Sequence, residues 1–324
     1  MSERILITGA DGFVGRVLVR ALLPRLAPEV RVFGGRYGGP GGPDPRVEPV
    51  DLDVTDRART RETIRALRPS CVVHLAAIAA VQDAFLDRGL TWAVNFEGTR
   101  NLAEAILQEA PAARLLFVGT SEVYGGTFKL RTGGLDETAP LDPANPYAAS
   151  KAAADLLIGQ MVRDGLRAVR FRPFNHTGPG QTERFVVPAF AAQIARIEAG
   201  LQDPVMRVGN LDALRDFLDV RDVVDAYLRA ILSDDLLPGL ILNLASGRPR
   251  RIGGILADLS ARSERPIEVV LDPERLRPSD TPVAFGNADR AADLLGWRPH
   301  IPWEQTLDDV LADWRARLAG ERTS

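Results

Sequence analysis

The sequence predicts an α/β fold built on a doubly wound parallel sheet, and three observations carry that prediction. A short apolar run, Arg4–Thr8 (RILIT), leads directly into glycines at 9, 12 and 15 and then into a helical pattern of Phe13, Val14, Val17, Leu18, Ala21 and Leu22. Short β-type runs then alternate with amphipathic helical segments as far as residue 171, the order that produces a parallel sheet covered on both faces. At 324 residues, 45% hydrophobic and 26% charged, the chain is also long enough for a large core and a second lobe.

Taken in order, strands are expected at 4–8, 30–33, 47–50, 71–75, 114–119 and 168–171, with helices near 56–67, 91–109 and 144–164. Residues 34–42 (GGRYGGPGG) hold six glycines and read as an exposed, mobile loop after the second strand. Beyond 175 the pattern loosens, with NHTGPGQ, GNLDALRDF and LRPSD interrupting the helices, and such polar segments are where a scaffold carries binding residues.

Strand, glycine turn and helix stand in the order that a dinucleotide site needs. Glycines let the backbone approach a pyrophosphate, and the free amides at the helix start receive its charge. Gly9, Gly12 and Gly15 are spaced GxxGxxG, with Phe13 and Val14 opening the helix behind them. Far downstream, Tyr147 and Lys151 lie four residues apart in NPYAASKAAADLL, in a chain with two lysines, Lys129 and Lys151, against thirty-eight arginines. Residues i and i+4 share one helical face, so phenol and ammonium can converge, and a nearby ammonium is expected to lower the phenol's pKa. A surface Tyr and Lys on an amphipathic helix is the alternative for so short a motif.

Composition excludes several function classes. The net charge is −3 and no stretch joins basic residues to aromatics, which argues against nucleic-acid binding. Cys71 is the only cysteine and sits in an apolar run; His74, His176 and His300 are isolated from it and from one another, so no metal site is expected. No apolar run is long enough to span a bilayer, and a strand starting at residue 4 leaves no room for a secretory signal, so no membrane association and a cytoplasmic location are expected.

Several motifs together resemble a family. TGADGFVG, DLDV (51–54), HLAA (74–77), VNFEGT (94–99), TSEVYG (120–125), PYAASK (146–151) and RPFN (172–175) are similar to those of the extended short-chain dehydrogenases/reductases that act on nucleotide sugars. RPFNHTGPGQ, FVVPAFAAQIARIEAG, VGNLDALRDFLDVRDVVDAY, LRPSD and LGWRPHIP resemble the branch of GDP-4-dehydro-6-deoxy-D-mannose reductases, relatives of the GDP-mannose 4,6-dehydratases. The resemblance implies a Rossmann-type domain from 1–174 and 217–246, interleaved with a smaller α/β nucleotide-sugar-binding lobe from 175–216 and 247–322. It also implies a homodimer paired through the helices near 91–109 and 144–164.

Residue by residue, the resemblance places Asp53 and Val54 at adenine and Ala76 and Ala77 beside the nicotinamide. A strand-end Asp capping the helix near 56 is the alternative for Asp53. Asn95 and His74 are read as structural. NADP(H) is favoured and NAD(H) remains possible, because the second strand is followed by Gly34, Gly35 and Arg36 with no carboxylate before Asp44; a solvated loop cation is the other reading of Arg36. Thr120, Tyr147 and Lys151 form the implied catalytic set. Tyr147 serves as the proton donor, Thr120 holds the sugar's carbonyl oxygen, and Lys151 bonds the nicotinamide ribose. Ser121, Glu122, Asn175, Arg215, Arg277 and Asp280 are implied for the GDP-sugar, with Arg184 a weaker candidate. Glu122, in the TSE trio, keeps a dehydratase reading open, since there a Glu takes the C5 proton.

Overall fold

The computed structural model describes residues 3–37, 44–233, 236–275 and 281–321. Thirteen strands are seen among them: β1 (Arg4–Thr8), β2 (Arg31–Arg36), β3 (Val47–Asp51), β4 (Cys71–His74), β5 (Arg114–Val118), β6 (Arg167–Pro173), β7 (Asn175–Thr177), β8 (Val205–Val208), β9 (Leu214–Asp219), β10 (Ile241–Leu244), β11 (Pro249–Arg251), β12 (Glu268–Leu271) and β13 (Val283–Ala284). The helices are α1 (Phe13–Leu22), α2 (Arg57–Leu67), α3 (Val81–Leu86), α4 (Arg88–Trp92), α5 (Thr99–Glu109), α6 (Pro146–Met161), α7 (Val186–Glu198), α8 (Val220–Leu232), α9 (Ile252–Ser260), α10 (Asp289–Leu295) and α11 (Trp303–Glu321).

Seven strands form one sheet in the order β10-β6-β5-β4-β1-β2-β3, parallel throughout. The order reverses between β1 and β4, and α/β sheets open a ligand crevice at such a point. Both faces are buried, as continuous apolar strands require. Ile5 and Ile7 of β1 pack with α1 and α8 on one face, while Leu6 packs with Leu115, Phe117, Leu102 and Ile158 on the other. A second core joins α7, α9 and α11 around Phe217 of β9, with Trp303, Leu307 and Trp314 from the last helix. There β9 is flanked by β11 and β13 and pairs with β7 along its other half. The chain then returns to the large sheet. Ala291 and the buried Trp297 lie in the first core, and the Trp297 indole donates to the Asp222 carbonyl at 2.8 Å.

The loop expected at 34–42 fails over its first three residues, which belong to β2, and its residues 38–42 lie outside the described residues. Gly34 and Gly35 are buried strand residues paired with Ile7 and Thr8, and the strand runs to Arg36. Glycine's weak strand propensity is overridden because β1 and β3 bracket these positions, with Gly34 also matched to Pro49 and Gly35 to Val50. Within the helix expected over 91–109, residues 93–98 take the wider π form, which carries the buried Asn95.

Candidate active site

The crevice is built from loops that leave the carboxyl ends of four adjacent strands, β1, β4, β5 and β6. After β1, Gly9 turns with φ +68°, and a Cβ there would lie 2.8 Å from the Ala76 nitrogen. At Gly15 a Cβ would stand 2.4 Å from the Gly9 carbonyl oxygen. Both contacts are closer than any side chain tolerates, so backbone passes backbone only because these residues are glycines. Gly12 caps α1 and no side chain caps the helix, leaving its first amides and positive dipole end open. The cradle and open helix start fit a dinucleotide pyrophosphate. The Phe13 ring lies parallel to the His176 ring of β7, 9° between planes and 6.4 Å between centroids, while Val14 packs against the sheet core.

Arg36 closes β2 beside this turn, and its Nε donates to the Asp11 carboxylate inside the glycine loop. The sequence reading missed Asp11, because a residue twenty-five positions earlier becomes a neighbour only through the β1/β2 pairing. Asp53 Oδ1 accepts from the Thr55 nitrogen at 2.8 Å and its hydroxyl at 2.7 Å, while Asp56 caps α2 through the Arg59 nitrogen. The capping alternative therefore falls to Asp56, and Asp53 shapes the turn before it. Val54 is buried against the position of Gly98, where a Cβ would come within 2.6 Å of its methyl. Ala76 and Ala77 are half-buried after β4, the Ala76 nitrogen donating to Thr8 Oγ1 at 3.2 Å.

His74 is a core residue held between Thr8 and Thr99, at 2.8 and 3.0 Å. Burial, helped by the Lys151 charge, pushes it down to about 3, so the ring is neutral. Asn95 ties the loop after β4 to α6, exchanging hydrogen bonds with the Ile78 backbone and donating to Ser150 Oγ at 3.1 Å.

Helix α6 presents Tyr147 and Lys151 from a fixed start. Asn145 caps it through the Ala148 nitrogen at 2.8 Å, and Pro146 stands in the first turn. Tyr147 is buried and hydrogen-bonded with Thr120, the residue that follows Gly119 beyond β5 and accepts from the Glu122 nitrogen at 3.2 Å. Burial pushes the phenol up to about 12, against a lowering by Thr120 and with a further rise from the Glu122 charge. The expected lowering by Lys151 is not met. Its ammonium donates to the Val118 carbonyl at 2.5 Å and lies 4.6 Å from the centre of the Phe117 ring. Burial lowers Lys151 to about 8, opposed by Asp155 one turn along α6.

Facing this pair, Ser121 is buried and Glu122 Oε2 accepts from Asn145 Nδ2 at 3.3 Å. The Glu122 charge also acts on Arg215 of β9, whose guanidinium donates to the Leu214 carbonyl at 2.8 Å. Asn175 opens β7, opposite Phe217 of β9, and is half-buried. The weaker candidate, Arg184, is an exposed cation paired with Asp83. Arg277 and Asp280 lie outside the described residues.

Behind α6 lies a buried polar cluster that the sequence reading did not single out. Asp155 is fully buried and binds Arg170 at 2.9 Å and Arg172 at 3.0 Å. Arg172 also donates to the Tyr124 hydroxyl at 3.1 Å, which in turn donates to Asn243 Oδ1 at 2.7 Å. The only available signal was Arg172 inside the RPFN motif.

Comparison with known proteins agrees with this architecture. The model of the NAD dependent epimerase/dehydratase family matches residues 5–245. A GDP-6-deoxy-D-mannose reductase of Pseudomonas aeruginosa is 35% identical over 324 residues, covering 99% of this chain and 100% of that protein. Among solved structures, RMD from Pseudomonas aeruginosa complexed with NADPH superposes with a TM-score of 0.82 at 32% identity, over 98% of this chain and 100% of its own. A Thermus thermophilus UDP-glucose 4-epimerase in complex with NAD gives a TM-score of 0.82 at 29% identity, over 96% of this chain and 99% of its own. By its sequence, its sheet and its glycine cradle, this chain belongs to the NAD dependent epimerase/dehydratase family.

Proposed function

We propose that this protein reduces the 4-keto group of GDP-4-dehydro-6-deoxy-D-mannose to give GDP-6-deoxy-D-mannose, with NADPH as reductant. The observation that carries the reaction type is the Thr120–Tyr147 pair on the β5 loop and α6. It is a phenol kept protonated at neutral pH by burial and hydrogen-bonded to a second hydroxyl at the mouth of a dinucleotide crevice. The GDP-sugar assignment draws on the full-length similarity to the Pseudomonas aeruginosa reductase.

Bound NADPH supplies the hydride that reduces C4. Tyr147 gives its proton to O4, so the carbonyl becomes an alcohol and the residue is left as phenolate. Thr120 donates to the same oxygen and holds it in place while charge develops. Lys151 binds the cofactor ribose, and solvent restores the proton to the phenolate. Gly9, Gly12 and Gly15 seat the pyrophosphate, with Asp53, Val54, Ala76 and Ala77 around the rest of the dinucleotide. Ser121 and Glu122 bond the sugar, and Asn175 and Arg215 take the diphosphate and its ribose, Arg matching phosphate with paired donors. Arg277 and Asp280 are assigned to the same ligand by resemblance.

Arg36 is assigned to the 2′-phosphate of NADPH, with Asp11 as the group it leaves or shares. Arg36→Ala is expected to raise the KM for NADPH by ~10- to 100-fold and to change that for NADH little, since a charge-assisted bond contributes ~1.5–3 kcal/mol. Asp11→Asn, measured alongside, is expected to lower the KM for NADPH. Equal effects of Arg36→Ala on both cofactors would assign Arg36 to Asp11 alone.

A homodimer paired through the helices near 91–109 and 144–164 belongs to this proposal, and the exposed Trp92 and Leu156 there, with Phe85, Leu86 and Leu90 on the adjoining α3 and α4, support it. Such an apolar patch marks an interface. Sedimentation is expected to give a dimer for the parent chain and a monomer for Leu156→Glu; a monomeric parent contradicts the assignment.

A further inference from the structure

A second cleft, of about 700 Å³, opens between the small lobe and the returning segment around α10. It is separate from the crevice described above: Thr120, Glu122, Tyr147, Asn175 and Arg215 are not among its walls. Its lining comes from the loop after β10 and β11, from 285–289, and from 297–304, which leads into α11.

The cations and carboxylates of this cleft are unevenly matched. Asp219 accepts from Arg221 and from Thr306, and Asp222 accepts from the backbone nitrogens of His300 and Ile301 at 3.2 Å each and from the His300 ring at 2.9 Å. Asp289 accepts from Asn287 at 2.8 Å and stands 4.0 Å from Arg298. Glu304, on the exposed rim, acts on Arg250 through its charge only. Against these, the guanidinium groups of Arg248 and Arg250 make no hydrogen bond or ion pair among the described residues. Arg248 is exposed. Arg250 lies over the Trp303 ring at 4.8 Å, and its Nε is buried without a partner. Trp303 is 6% exposed and its indole N–H is also buried without an acceptor. The same residue opens the nineteen-residue α11.

Two guanidinium groups without a carboxylate partner are what an oxyanion takes. The wall that carries them is held in place from behind: the buried Asp216 accepts from the nitrogens of Ser246, Gly247 and Gly286 at 2.8, 2.9 and 3.3 Å. The volume exceeds what a single phosphate fills, and the half-buried Phe285 supplies apolar surface for an organic remainder. We propose that this cleft is a second binding site for a phosphorylated small molecule, its phosphate seated by Arg248 and Arg250.

The test titrates inorganic pyrophosphate into the full chain saturated with NADP⁺ and GDP, which occupy the first crevice, by calorimetry and by tryptophan fluorescence, since Trp297 and Trp303 both line the cleft. Saturable binding is expected. Arg248→Glu, at an exposed position, and Arg250→Ala are each expected to weaken it by ~10-fold or more. A parallel titration is expected to show glucose 1-phosphate binding more tightly than orthophosphate; equal binding overturns the organic ligand. Failure to saturate, or indifference to Arg248→Glu, overturns the site.

Discussion

Tyr147→Phe is expected to lower turnover by ~10²-fold or more while NADPH still binds. The substitution keeps a buried ring in place on α6 and removes only the hydroxyl that hydrogen-bonds with Thr120. Because burial holds the phenol near 12, it is protonated across the neutral range, and the loss should be the same at pH 6 and pH 8. Single-turnover NADPH oxidation, with cofactor binding followed separately by fluorescence, checks the result. Near-parental turnover would remove Tyr147 from proton transfer.

The second large effect is on stability. Asp155 is fully buried and its carboxylate is shared by Arg170 and Arg172. Asp155→Asn keeps the shape and leaves two guanidinium groups without their counter-charge, and breaking a buried pair this way costs ~3–5 kcal/mol. Urea unfolding is expected to show the midpoint falling with little change in slope. The same substitution reaches the active site, because Asp155 is the group that supports the Lys151 charge against burial. Lys151 sits at about 8, so its ammonium is present below that pH and lost as pH rises through it. Parental activity is therefore expected to decline above pH 8, and the decline in Asp155→Asn to begin at lower pH. An unchanged midpoint and an unchanged alkaline limb would together show that the cluster is neither structural nor coupled to Lys151.

Much of this was legible in the chain itself. The β1 run, the glycine spacing and the α1 pattern are local signals, and the local structure follows them because sterics at Gly9 and Gly15 admit no other residue. The expected strands at 47–50 and 71–75 and the helix at 56–67 agree with the observed bounds within a residue. What the sequence concealed arises from pairing across distance. Gly34 and Gly35 look like loop until β1 and β3 are placed on either side of them. Arg36 looks like a free cation until β1 brings Asp11 beside it. Tyr147 and Lys151 do share a helix face, but the chain cannot say that Lys151 turns to the Val118 carbonyl while Thr120 meets the phenol. Arg172 is one of thirty-eight arginines until β6 and α6 bury it on Asp155. In each case the residue type was visible and its partner was not.

The proposed reaction consumes a GDP-bound 4-keto sugar rather than forming it. Glu122 is where the alternative enters, since it stands near Tyr147 as a C5 base would, yet it also accepts from Asn145 and faces Arg215, as a group that bonds substrate does. The most direct measurement follows NADPH consumption by the purified protein with GDP-4-dehydro-6-deoxy-D-mannose, beside an incubation with GDP-mannose and no added cofactor. Stoichiometric conversion of the keto sugar to GDP-6-deoxy-D-mannose is expected, with most of that activity kept in Glu122→Gln and no reaction of GDP-mannose. Steady formation of the keto sugar from GDP-mannose, abolished by Glu122→Gln, would contradict it.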